Sequence, residues 1–425
     1  MVLLIGVALL VCLVILFYRV TAAPAAAPDG TAGPTPGAAG SASLAGVGVA
    51  FISNGKLFYQ PDGGALRQLH SPYIQETEDR LARSNERNSW KKNTSFEVGA
   101  YGQMKQFGGA ANGITHTSAQ FDRQQSILYF LRDDTIGGLF ALNLDTGVET
   151  RIVHRQHLDL SDLHLNRQTG KLVCTSSSRD SVTNIATLDV EGNNLRELTG
   201  GDTADSAPAW CDDDTIVYQS AGLARDSGGR IVALGHSTIQ KLDVRSGQLE
   251  TVVDDANTDF LHPRVGSTGE LLFIRRPYEV PQHGSGNVLL DTVLFPFRLL
   301  RAVFHYLNFF SMMYSRKPLT GASGPSAQAD VKAIILKGKR IDAEKALRSE
   351  KMVAGVPSLV PASWQLVQRS RRGDERVLAS NVASYDLTPA GQILYSNGRG
   401  VFLLGEDGRS TLVLKGDLVS DVIAR

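Results

Sequence analysis

Short runs of alternating apolar and polar residues recur along this chain, separated by turns rich in Asp, Asn and Gly, and they come in sets of four. The clearest set occupies residues 205–253. There DSAPAWCDDDTIVYQS gives two strands about the Asp212-Asp213-Asp214 turn, and, after a Gly-rich loop, STIQKLDVRSGQLETVV gives two more about Ser246-Gly247. The pattern returns at 121–153, 163–199, 263–378 (with an interruption) and 385–414. Each set places a glycine (Gly147, Gly192, Gly247, Gly373, Gly408) where the backbone must reverse and a positive φ is least costly.

The uninterrupted sets recur at roughly 35 to 55 residues, the period of propeller blades and longer than that of leucine-rich or ankyrin repeats. Near the start, VGVAFISNGKLFYQPDGGALRQLH supplies two or three strands but no inner one, while DLVSDVIA at 417–424 has strand character and no set of its own. Pairing the two closes an all-β ring of six blades and hides the edges that an open array would expose.

In the set at 205–253, Asp205, Pro208 and Trp210 stand as in Asp-x-x-Pro-x-Trp-Ser-Pro-Asp-Gly, the phrase of TolB-like six-bladed propellers, and Leu198-Thr199 sits where that family often ends a blade. The chain resembles that family over about residues 47–425, with Cys211, Asp212 and Asp213 replacing Ser-Pro-Asp. The additional α/β domain that TolB carries has no counterpart in this sequence. The resemblance implies the fold, and a periplasmic or exterior location, more strongly than any activity.

Lys and Arg total 43 and Asp and Glu 43, so the formal net charge is zero, and the absence of a long basic run argues against nucleic acid as a partner. Three cysteines, Cys12, Cys174 and Cys211, form no Cys-x-x-Cys or Cys/His cluster, which supports neither a disulfide framework nor a zinc site.

Residues 2–17 are unbroken and apolar, with no preceding Lys or Arg, and read as an uncleaved membrane anchor spanning about residues 1–20. Arg19 after it would leave the propeller in the cytoplasm by the positive-inside rule, against the side the resemblance implies. Residues 21–46 are mostly Ala, Pro and Gly and read as a tether.

Two insertions break the repeat, at 71–117 and 278–352. The first opens with YIQETEDRLARSNERNSWKK, a charged surface helix by its spacing, followed by the Gly-rich AYGQMKQFGGAANG; together they read as a cap on the ring or a partner-binding arm. The second contains VLLDTVLFPFRLLRAVFHYLNFFSMMYSRK. On a helix, Asp291, Arg298, Arg301, His305 and Asn308 fall on one stripe, Leu, Phe, Val and Met cover the remainder, and Leu294, Phe297, Phe304, Phe309 and Phe310 are the apolar candidates for a membrane interface. With Tyr306 at interfacial depth and Arg316 and Lys317 at its end, this is the pattern of a helix lying in a membrane interface, attracted to anionic lipid. Packing against the propeller's side, or against other subunits of a membrane complex, fits the same pattern. VKAIILKGKR after it reads equally as a basic flank or as an extra strand.

Catalytic signals are sparse. Gly235-His236-Ser237 opens like a Gly-x-Ser-x-Gly elbow but has Ile239 where the last Gly belongs, and Asp212-Asp213-Asp214 lacks calcium-loop spacing. His116, His157, Asp159, Asp205 and His262 precede inner strands and are the candidate ligand residues at a channel mouth. No cofactor or metal is implied. The sequence points to a non-enzymatic membrane-attached scaffold with a protein partner at the membrane; the alternative is a small-ligand or metal-binding propeller enzyme.

Overall fold

The computed structural model describes residues 47–87, 96–98, 104–106, 113–122, 125–133, 135–178, 182–279, 333–336, 339–342 and 352–425. Among them the strands form six four-stranded antiparallel sheets and three two-stranded hairpins. Blade 2 runs Thr115–Phe121, Ser126–Arg132, Ile136–Asn143, Glu149–Gln156; blade 3, Leu160–Leu165, Lys171–Ser177, Thr183–Asp189, Arg196–Glu197. Blade 4 runs Thr203–Trp210, Thr215–Arg225, Ile231–Asp243, Leu249–Val253, and blade 6 runs Ser384–Leu387, Ile393–Ser396, Gly400–Leu404, Ser410–Lys415. Blade 5 joins Thr258–Val265 and Leu271–Pro277 to Gln365–Arg369 and Glu375–Ser380 across the second insertion.

Blade 1 closes the ring. Its innermost strand is the last of the chain, Val419–Ala424, paired antiparallel with Val49–Ser53 in the register Val49↔Ala424, Ala50↔Ile423, Phe51↔Val422; Lys56–Gln60 and Arg67–Gln68 complete it. The glycines assigned to turns are indeed left-handed, Gly147 and Gly247 at φ 71° and 72°.

The core lies between blades. Six clusters of buried side chains each join one blade to the next. Alternation along a strand explains how one strand serves two of them, because successive side chains leave opposite faces of the sheet. In Val49–Ser53, Ala50 and Ile52 pack toward blade 2, whereas Val49 and Phe51 pack toward blade 6. In Ser126–Arg132, Ile127, Tyr129 and Leu131 face blade 1, and Leu128 and Phe130 face blade 3. Both faces being buried, these middle strands read as continuous apolar runs.

Innermost strands all run in one sense, from what we call the start face to the end face. Strand order then puts each link from an outer strand to the next blade, and each turn between second and third strands, on the start face. The helix Pro72–Arg87, the strand ends Pro277 and Gln365 that flank the second insertion, and a ribbon grown from blade 4 therefore all lie on that one face. The start of the described chain, at Val47, lies on the end face, beside Arg425.

Pro72–Arg87 is the charged helix the spacing predicts. Ser71 caps it, its Oγ accepting the Ile74 N–H at 3.3 Å, and Pro72 occupies the first helical position, where no N–H is needed. Glu149 of blade 2 accepts the Ser71 hydroxyl (2.6 Å), the Tyr73 N–H (3.0 Å) and the Tyr129 hydroxyl, so a carboxylate of the propeller meets the positive end of the helix.

Three local readings change. The Gly-rich stretch 221–236 is not a loop: Thr215–Arg225 and Ile231–Asp243 continue pairing through Leu223↔Leu234 and Ala224↔Ala233 to a tight turn at Asp226–Gly229. Ser237 accordingly lies inside the strand Ile231–Asp243, not on the strand-to-helix turn of a nucleophile elbow. VKAIILKGKR contributes a hairpin, Ala333–Leu336 with Lys339–Asp342, and within the first insertion Phe96–Val98 pairs with Met104–Gln106. The anchor at 1–20, the tether at 21–46 and the apolar segment 288–314 with Arg316 and Lys317 lie outside the described residues. Among the described residues no helix is long and apolar enough to cross a membrane.

Candidate functional site

The innermost strands of blades 3, 4 and 5 carry the same defect, a bulge with one left-handed residue: Asp162 (φ 49°), Ala207 (φ 51°) and His262 (φ 54°). A bulge turns backbone N–H groups out of the ladder. Side chains of the preceding blade collect them: Ser118 Oγ accepts Leu163 N–H (2.9 Å), Thr175 Oγ1 accepts Ala207 N–H (3.1 Å) and Gln219 Oε1 accepts His262 N–H (2.8 Å). These are latches from blade to blade.

The five residues expected at a channel mouth sit among such contacts and do not gather at one point. His116 is buried, its Nδ1 3.1 Å from Gly55 O of blade 1 and its ring against Tyr129. Asp205 is buried and accepts the Ser220 hydroxyl at 2.6 Å. His262 packs edge-on against Tyr385 of blade 6, whose hydroxyl donates to His262 O at 2.8 Å. Only His157 and Asp159 share a cleft, about 430 Å³ between blades 2 and 3 on the start face, where Asp159 pairs with Arg132 at 2.6 Å. Burial raises the Asp159 carboxyl, and Arg132 opposes the rise. Among the described residues no group of three or more His, Cys, Asp or Glu is arranged to hold a metal. Burial also pushes the Cys211 thiol up to about 12, which keeps it protonated and unreactive.

Around the axis, at the end face, the innermost strands enclose a basin of about 250 Å³. Blade 2 contributes Gln120, blade 3 His164 and Arg167, blade 5 Arg264 and Ser267, blade 6 Asp386 and Thr388, and the closing strand Ala424. Sequence reasoning missed it because it looked at the beginnings of these strands. A signal existed: His164 and Arg264 each stand two residues after a bulge residue, the place taken by Ala209 in blade 4.

His164 Nδ1 accepts the Trp210 N–H at 3.2 Å, so the neutral ring carries its proton on Nε2. Burial, then the charges of Arg264 and Arg167, hold its pKa well below the usual histidine range. Asp386 Oδ2 accepts the Ala424 N–H at 2.9 Å, and burial raises this carboxyl while Arg264 opposes the rise.

These shifts fix a pH dependence. Burial chiefly holds His116 below, and His164 well below, the usual histidine range, so each binds fewer protons in the fold than in the unfolded chain, where a histidine titrates near 6.5. Below that pH the unfolded state binds more protons, so stability falls on acidification, by at most ~1.4 kcal/mol per pH unit for each group. Denaturant unfolding at pH 7.5, 6.5 and 5.5 should show this decline, and His164→Asn, which keeps an acceptor for Trp210, should flatten it. A parallel decline in the variant would deny His164 its share.

No protein-family model and no curated protein matches the chain. Among solved structures it is similar to TolB from Acinetobacter baumannii, at 11% identity and TM-score 0.48 over 90% of this chain and 67% of that one. It is also similar to a chain of a nidogen/laminin complex (8%, TM-score 0.44, 89% of this chain and 98% of that one) and to a gluconolactonase from Xanthomonas campestris (13%, TM-score 0.40, 73% and 80%). These likenesses are of fold alone, and they span proteins of different activity. The strand pairing itself makes this chain a six-bladed β-propeller closed by its own last strand.

Proposed function

We propose that the protein is a non-enzymatic binding module held at a membrane by its N-terminal apolar run. The observation that carries this reading is the division of labour between faces. Among the described residues the elaborations of the ring leave from the start face, whereas the described chain begins at Val47 on the end face. A surface that gathers a helix, a ribbon with exposed Val232 and Leu234, and a long insertion is a surface built for a partner.

Affinity purification of the tagged full-length chain in mild detergent, beside a deletion of residues 288–314, tests the proposal. A near-stoichiometric protein that accompanies both the parent and the deletion is expected if the start face itself holds the partner; one lost with the deletion makes 288–314 the contact, as in a subunit of a membrane complex. A clean monomer in both overturns the binding-module reading.

A further inference from the structure

We infer that the end-face basin binds a small organic oxyanion, carboxylate or phosphate. This is independent of how the protein meets a membrane. Five of the six innermost strands converge on the basin, so its side chains are positioned by the ring itself and not by loops.

Arg264 is the centre of the argument. Its side chain is buried, and its Nη1 donates to Pro263 O at 2.9 Å, which fixes the guanidinium plane. Its Nε is fully buried and makes no hydrogen bond. The nearest carboxylate oxygen, Asp386 Oδ1, is 3.6 Å away, beyond hydrogen-bond range, because the other oxygen of that carboxylate is committed to the Ala424 N–H of the closing strand. A desolvated guanidinium is costly unless its donors are met; here Nε has only the 3.6 Å approach of Asp386, and the same guanidinium belongs to the lining of the basin.

The remaining lining has the same polarity. His164 offers Nε2–H, since Nδ1 is occupied by Trp210. The Thr388 hydroxyl accepts the Gln392 N–H at 3.0 Å and has its proton to give. Arg167 stands exposed at the rim. Two arginines against one carboxylate leave the basin lining net positive. A cation would find one carboxylate, already shared; an oxyanion would find a guanidinium fork, an imidazole N–H and a hydroxyl. At about 250 Å³ the basin lies below the ~300–1,000 Å³ of drug-sized sites, so its occupant is small.

The test is isothermal titration of the full-length chain in mild detergent at fixed ionic strength, with acetate, succinate and inorganic phosphate as probes, and with chloride as the reference anion. Saturable binding of an oxyanion at one site per chain is expected. Succinate and phosphate then distinguish a carboxylate occupant from a phosphate one. Arg264→Lys keeps the charge but loses the fork and should weaken binding about tenfold. Since a buried arginine also serves the fold, Arg167→Gln at the exposed rim is measured beside it and should weaken binding severalfold with an unchanged melting curve. No oxyanion binding above the chloride reference, or binding that both variants leave intact, overturns the proposal.

Discussion

Deleting residues 419–425 is expected to abolish cooperative folding of the whole ring, though it removes only seven of 425 residues. Val419, Val422 and Ile423 are buried in the two clusters that join blade 1 to its neighbours, and Ala424 N–H satisfies Asp386 of blade 6. Burial of each large aliphatic is worth ~1.5–3 kcal/mol, so three of them approach the ~5–15 kcal/mol that holds a typical protein folded. The deletion also bares the length of Val49–Ser53, an apolar strand edge inviting aggregation. Near-UV circular dichroism during heating would show a lost or strongly lowered transition, partly restored by a peptide of residues 417–425. A sharp transition at the parent temperature would mean that the ring does not depend on its seam.

Asp259→Ala is expected to cost ~3–5 kcal/mol, the usual penalty for leaving one member of a buried ion pair. Asp259 Oδ2 accepts Arg276 Nε–H at 2.9 Å with both side chains buried, and the guanidinium lies 4.8 Å from the Trp364 ring centre. The other oxygen, Oδ1, accepts the Ser237 N–H of the blade 4 ribbon at 3.0 Å. One carboxylate therefore joins the ribbon to the root of the second insertion. Asp259→Asn, which keeps an acceptor for Ser237, should cost less. Chemical denaturation ranks the two, and equal small losses would show that Arg276 is held by its other neighbours.

Ring closure was legible in the sequence because two incomplete features complemented each other: a first set without an inner strand, and a last strand without a set. The helix after Ser71 was legible from charge spacing, and Ser71-Pro72 would have given its first turn. The ribbon of blade 4 was hidden by Gly222, Gly228, Gly229 and Gly235, which mask the pairing of Leu223 with Leu234. The basin was hidden for a different reason. His164, Arg264 and Asp386 are a hundred residues or more apart from first to second and again from second to third, and no local pattern marks them. Only superposing the blades brings His164 and Arg264 onto one position. His116, Asp205 and His262 drew notice as polar residues before inner strands, yet burial and hydrogen bonding place each of them in the joints of the ring.

The seam between first and last strands has a mechanical consequence. The described chain enters Val49–Ser53 at the end face, so tension applied at Val47 acts on the strand paired to Val419–Ala424 on one side and to Lys56–Gln60 on the other. Pulled along its length, this strand resists in shear, with every bridge in both ladders stretched together. Pulled across its length, it peels, one bridge at a time. The direction of a pull at this strand therefore decides how much force the ring withstands before it opens.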